Sequence, residues 1–185
     1  MNKLSLIVIL LTAVAFNSYA QKDPKEKKAV KAAFEETVLK TGMNVPDFNV
    51  PSISDPKIKY SKKGMLGKIY IIDFWASWCG PCVKEMPVLH KAYERYKSKG
   101  LEIISFSCDV KPEDVAAFRK DKWAMPWKHI FFGRGKDCLY PKIKDEFGIK
   151  FIPSPFLIGK DGKILAMGED LRGEKLIETL AKYFK

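Results

Sequence analysis

The stretch Asp73-Phe74-Trp75-Ala76-Ser77-Trp78-Cys79-Gly80-Pro81-Cys82 decides how this chain is read. It closes a continuous apolar run, Ile69 to Trp75, interrupted only by Asp73. Such a run reads as a buried strand. Beyond it, Gly80 to Lys97 carries Val83, Met86, Leu89, Tyr93 and Tyr96 at helical spacing. Pro87 is expected to kink that helix, and Gly100 to end it. Two cysteines separated by two residues at a strand-to-helix turn can bring their sulfurs together within one turn. Cys79 then stands at a helix start, where free N–H groups and the macrodipole favour an anion. Its pKa should fall, and the thiolate is the nucleophile. Cys82 lies one step deeper, placed to attack a mixed disulfide formed on Cys79. Pro81 stiffens the turn and donates no hydrogen bond.

Other uses of a Cys-x-x-Cys pair fit less well. Haem attachment needs a His after the second Cys, and Val83 stands there. A zinc site needs a second ligand pair, but Cys108 and Cys138 are thirty residues apart, and His90 and His129 are not spaced as ligands. A purely structural bridge closing so short a loop would stabilise little. A peroxide-reducing enzyme would want an isolated Cys after a Thr, and the pair argues against it.

Outward from the motif, Leu101 to Ser107 reads as a second strand, and Pro112, Glu113 and Asp114 open a helix running to about Lys122. Trp123 to Lys136 is expected to be irregular and aromatic, and Tyr140 to Phe147 a short helix. Phe156–Ile158 and Ile164–Met167 flank the turn Gly159-Lys160-Asp161-Gly162, a hairpin signal. Leu171 to Phe184 closes the chain as an amphipathic helix with Leu176, Ile177, Leu180 and Tyr183 on one face. Val45 to Lys63, with Pro46, Pro51 and Pro56, suits irregular or edge-strand structure. Strand–helix–strand implies a parallel pairing and the hairpin an antiparallel one. The expectation is α/β: a mixed central sheet with helices on both faces.

The N-terminal residues read differently. Lys3 precedes the apolar run Leu4 to Phe16, and Ser18-Tyr19-Ala20 is a small-x-small cleavage site. Residues 1–20 are therefore expected to be a cleaved signal peptide, since the run is shorter than the roughly 20 residues that span a bilayer. The protein would be periplasmic or secreted, with no transmembrane segment in the mature chain. Outside the cytosol a dithiol must be actively kept reduced. Residues 21–41 form a basic arm with a narrow Val30, Phe34, Val38 stripe, expected to be helical. Lysine and arginine number 33 against 22 acidic residues. The lysines are spread along the chain, which reads as a solvated basic surface and not as a nucleic-acid footprint.

At this point a resemblance is plain. Asp73 to Cys82 resembles the active-site signature of thioredoxin-fold proteins. Gly42-Met43-Asn44-Val45-Pro46-Asp47-Phe48 is similar to the leading motif of the exported TlpA/ResA branch. Phe147-Gly148-Ile149, Ile152-Pro153-Ser154, Phe156-Leu157-Ile158 and Asp161-Gly162-Lys163 resemble that family's cis-proline loop and hairpin. The match covers about residues 42–185, taken as one thioredoxin-like domain.

The resemblance implies a thiol–disulfide oxidoreductase acting on disulfide-containing proteins, re-reduced by a membrane or periplasmic electron donor. It calls for no cofactor and no metal. It implies attack by Cys79, resolution by Cys82, and a proton relay through Asp73 or Glu85. It also implies a substrate surface formed by Trp78, Gly80, Pro81, Ile152 and the cis-proline Pro153. Gly159, Phe151 and Pro155 depart from the family pattern beside the substrate groove. Two alternatives stay open: a disulfide oxidase or isomerase, and a metal-binding assembly module using the cysteines as ligands. Cys108 and Cys138 are either a second, structural bridge or small buried hydrophobes.

Overall fold

The computed structural model describes residues 39–185. The signal peptide expected over residues 1–20, and the expected basic arm up to residue 38, lie outside the described residues. The described chain runs β1 (Asn49–Pro51), β2 (Lys59–Ser61), α1 (Lys62–Met65), β3 (Ile69–Trp75), α2 (Gly80–Tyr96) and β4 (Leu101–Ser107). It continues through α3 (Pro112–Asp121), β5 (Lys128–Phe131), α4 (Pro141–Glu146), β6 (Ser154–Ile158), β7 (Ile164–Met167) and α5 (Glu174–Ala181). Strands β1 and β2 form a small antiparallel ribbon. The main sheet has the order β5-β4-β3-β6-β7. β3 pairs parallel to β4 and β4 to β5, whereas β6 runs antiparallel to both β3 and β7.

All seven residues of β3 are buried, as a central strand covered on both faces requires. Strand alternation divides them. Ile69, Ile71 and Trp75 belong to one core with Met86, Leu89, Ala92 and Tyr96 of α2 and Leu176, Ile177 and Leu180 of α5. Tyr70, Ile72 and Phe74 belong to the other, with Val45, Phe48, Val50 and Phe147. Each fully buried aliphatic or Phe side chain contributes about 1.5–3 kcal/mol. Phe74 anchors an aromatic cluster, 4.8 Å from Phe106, 5.2 Å from Phe132 and 5.3 Å from Phe147. By the same alternation Asp73 falls between Ile71 and Trp75, on the α2 side.

The expected mixed sheet with helices on both faces is the observed one. Three local expectations need correcting. The aromatic stretch after Trp123 is not wholly irregular: Lys128–Phe131 is an edge strand parallel to β4. Its apolar residues are too few for a periodic signal, and only the sheet edge supplies its partner. Tyr183 does not join the buried face of the last helix but is 39% exposed, because α5 ends at Ala181 and Phe184 packs inward instead. Leu171 closes a 3₁₀ turn (Gly168–Leu171) that precedes that helix. Pro87 lies inside α2.

The topology places the site. The C-terminal ends of the parallel strands β3, β4 and β5 share one edge of the sheet. Because β6 is antiparallel, with Phe74 opposite Ser154, its N-terminal end and Pro153 lie at that same edge. Among the described residues no helix is long and apolar enough to cross a membrane.

Candidate active site

Cys79 is the N-cap of α2, and its sulfur accepts a hydrogen bond from the Cys82 N–H at 3.2 Å. The cap forms because Cys79 is extended (φ −81°, ψ 98°), with Pro81 among the first helical residues, where its missing N–H costs nothing. Cys79 and Cys82 are joined by a disulfide, with Cα atoms 5.2 Å apart. Gly80 and Pro81 are exposed and Trp78 is 49% exposed. A Cβ on Gly80 would meet no atom within 4 Å, so that side of the dithiol is open.

The Ile152–Pro153 peptide bond is cis. Its loop presents the Ile152 carbonyl oxygen 3.9 Å from Cys79 Sγ. Two bonds pin the loop from either side. Ser154 Oγ donates to Phe151 O at 2.7 Å, and Arg172 Nη2 donates to Pro153 O at 2.9 Å. Residue 155, opposite Asp73 in the β3–β6 register, is a proline and brings no N–H to the ladder.

Beneath the dithiol lies a cavity of about 20 Å³, room for one water molecule. Asp73, Cys82, Glu85, Pro153 and Arg172 all contribute to its lining. Burial pushes the Asp73 carboxyl up to about 7; the Glu85 charge adds to the rise and the Arg172 guanidinium opposes it. That rise brings Asp73 toward the range in which one carboxyl can both accept and return a proton. Glu85, on the same face of α2 as Cys82, accepts a hydrogen bond from the Gly173 N–H at 2.8 Å. Cys79, Cys82, Asp73, Glu85, Ile152 and Pro153 thus meet in one place.

The Thioredoxin-like family profile matches residues 67–164. A thiol-disulfide oxidoreductase ResA from Bacillus thuringiensis subsp. konkukian is 31% identical over 187 residues, covering 97% of this chain and 91% of that protein. The chain belongs to the thioredoxin-like thiol-disulfide oxidoreductases. A ResA from Oceanobacillus iheyensis is 28% identical, covering 97% of this chain and 84% of its own. The thioredoxin domain of a thiol-disulfide oxidoreductase from Bacteroides vulgatus is 30% identical with a TM-score of 0.67, covering 80% of this chain and 99% of that one.

This thioredoxin-like oxidoreductase also uses residues outside its signature. Asp109, fully buried after β4, holds the active-site loop. It accepts hydrogen bonds from the Ser77 N–H at 3.0 Å, from Ser77 Oγ at 2.7 Å and from Ser107 Oγ at 2.7 Å. Arg134, after β5, lays its guanidinium 4.3 Å from the Trp78 ring centroid. Neither partner is near in sequence, so no local pattern announced them. Trp127 is core packing, with Nε1 donating to Ser105 Oγ at 2.9 Å and His90 4.9 Å away. Cys108 and Cys138 are free thiols, both half-buried. Among the described residues no three His, Cys, Asp or Glu side chains are grouped to hold a metal ion.

Proposed function

We propose that this oxidoreductase is an exported reductase of partner-protein disulfides. The observation that carries the reading is the Cys79–Cys82 pair at the start of α2, facing the Ile152 carbonyl and standing over an acid-lined cavity. In the reduced protein the Cys79 thiolate attacks one sulfur of the partner's disulfide. A Cys79–partner bond forms as the partner's own S–S bond breaks, and its other sulfur leaves as thiolate. Cys82 then gives its proton to Asp73 or Glu85, directly or through one water. The Cys82 thiolate attacks Cys79 Sγ, closing the internal disulfide and releasing the second partner thiolate. Two electrons pass from the dithiol to the partner. An external dithiol donor must return two electrons and two protons before the next cycle.

Trp78, Gly80 and Pro81 line the open side, where the partner strand lies along the Ile152 backbone. Gly-Pro between the cysteines is the dipeptide of reducing thioredoxins, which favours the reducing direction. Export rests on the Leu4–Phe16 run and the Ser18-Tyr19-Ala20 site.

Cys82→Ser tests the reading. It should accumulate a mixed disulfide on Cys79 that identifies the partner, and the protein recovered from its native host should begin at Gln21. A reduction potential near the about −120 mV of strong oxidants, instead of the about −270 mV of thioredoxin, would overturn the reducing direction.

A further inference from the structure

Arg172 belongs to no motif of the active-site signature, yet its side chain reaches the centre of the site. It is the extended residue between the 3₁₀ turn Gly168–Leu171 and α5 (φ −122°, ψ 147°). We propose that Arg172 is a positioning residue for disulfide exchange: one arm of its guanidinium fixes the Pro153 carbonyl, and its permanent positive charge shares the cavity beneath Cys82 with the carboxyl groups of Asp73 and Glu85.

Three observations carry this. Nη2 donates to Pro153 O at 2.9 Å while Nη1 reaches Glu169 Oε1 at 2.7 Å, so the planar fork is held from two directions. A lysine ammonium cannot span both acceptors in one plane. The Glu169 pair is not there for stability: the Glu169 side chain is 61% exposed, and such pairs contribute little. Its effect is to aim the guanidinium. Second, Nε is buried and has no protein partner, so the cation is held partly desolvated against the cavity. Third, the next residue completes a clamp, since the Gly173 N–H holds Glu85. Two consecutive residues therefore grip the two walls of the site, the cis-proline loop and the acid on α2.

The charge has a direction. Asp73 is faced by Cys82 and Glu85 from α2, by Arg172 from before α5, and by Cys108 from after β4. Only Arg172 among these is positive, and it opposes the rise caused by burial and by Glu85. Without it Asp73 stays protonated to higher pH, and Cys82 loses one of its two proton acceptors at neutral pH.

The inference rests on the proton role given to Asp73 above, and the test separates the two. Single-turnover release of a mixed disulfide formed with a small aromatic disulfide is followed against pH in the wild type, Arg172→Met, Arg172→Lys and Asp73→Asn. Arg172→Met should move the midpoint of the profile up by about one unit and slow release several-fold at pH 7, with recovery at pH 9. Arg172→Lys should restore the midpoint while leaving KM for a protein disulfide raised, because Pro153 O is no longer held by the fork. If Arg172→Met does not fold, Arg172→Gln keeps a donor toward Pro153 and drops the charge, and carries the same expectation for the midpoint. A wild-type midpoint in the uncharged variant, with the profile altered in Asp73→Asn, overturns the role of Arg172 and leaves that of Asp73. An unaltered profile in Asp73→Asn overturns the proton role itself.

Discussion

The protein carries two pairs of cysteines at the same edge of one sheet, and they meet opposite environments. Cys79 caps a helix and accepts an N–H bond; its partner Cys82 stands over a cavity with two carboxyl groups. Cys108 follows β4 and packs against both apolar cores, where burial pushes its thiol up to about 12. Cys138, Asp109 and Asp73 add to that rise and Lys144 opposes it. In the proposed exchange the same atom type serves as a nucleophile at Cys79 and as an inert filler at Cys108, 29 residues further along the chain. What differs is the supply of hydrogen-bond donors and dipole to the anion, not solvent access, since Cys79 and Cys82 are themselves buried.

The sharpest way to break this contrast is to remove one member of each pair. Cys79→Ser should abolish reduction of insulin disulfides, by about 10⁴-fold or more, because no other group supplies the nucleophile. Cys108→Ala should leave the rate within about two-fold. Burial keeps Cys108 as the thiol at pH 7 in the reduced wild type, so iodoacetamide followed by peptide mass mapping should label Cys79 and spare Cys108. Rapid labelling of Cys108, or residual turnover in Cys79→Ser, would erase the distinction.

Asp73 lies between the two pairs, lining the cavity with Cys82 and raising Cys108. Its carboxyl moves from 3.8 to about 7 on folding, so the native state binds the proton more tightly than the unfolded chain. The stability this preference confers is fully present below pH 3.8 and is lost as pH rises through 7. Asp73→Asn has no such loss. In the oxidised proteins, its stability relative to wild type should grow between pH 4 and pH 8 by up to about 4 kcal/mol, measured by denaturant unfolding. Comparing the two proteins at each pH cancels other titrations, such as that of buried His129. A difference independent of pH would mean that the folded site does not raise this acid.

The two regions also differ in how much of them a reader of the sequence can see. β3, the dithiol turn and the hairpin are built from neighbours in the chain, so Ile69 to Cys82 and Gly159 to Gly162 disclose their structure locally. Pro153 and Glu85 were legible through the family resemblance, which carries pairing information no single segment holds. Asp109, Arg134 and Arg172 were not. Ser77 lies 32 residues before Asp109, and Pro153 lies 19 before Arg172. A charged residue in a loop looks like solvent-facing surface until the fold shows what it touches. β5 escaped for the same reason, since an edge strand of four residues has too short a pattern to stand out.

One segment joins the two regions, and it gives the smallest expected effect. The loop after β5 puts Arg134 over Trp78 and, a few residues on, brings Cys138 back beside Gly133. Gly133 is held to Ser107 O at 3.1 Å, and at φ +80° a Cβ there would lie 2.5 Å from Asp137 O, so the turn tolerates only glycine. The loop is therefore fixed in place, and Arg134 is its outward arm. An exposed cation–π contact is worth about 0.5–1 kcal/mol, so its loss changes little in stability. Its effect belongs to recognition, because Trp78 is the residue before Cys79, the sulfur proposed to meet the partner. Arg134→Ala should raise KM for a protein disulfide about two- to five-fold and leave kcat and the rate with a small disulfide unchanged. Arg134→Lys should fall between, since an ammonium lacks the planar stacking of guanidinium. If Arg134→Ala slowed small and protein disulfides alike, the arginine would be acting on the dithiol itself, and the boundary between recognition and chemistry would move outward to this loop.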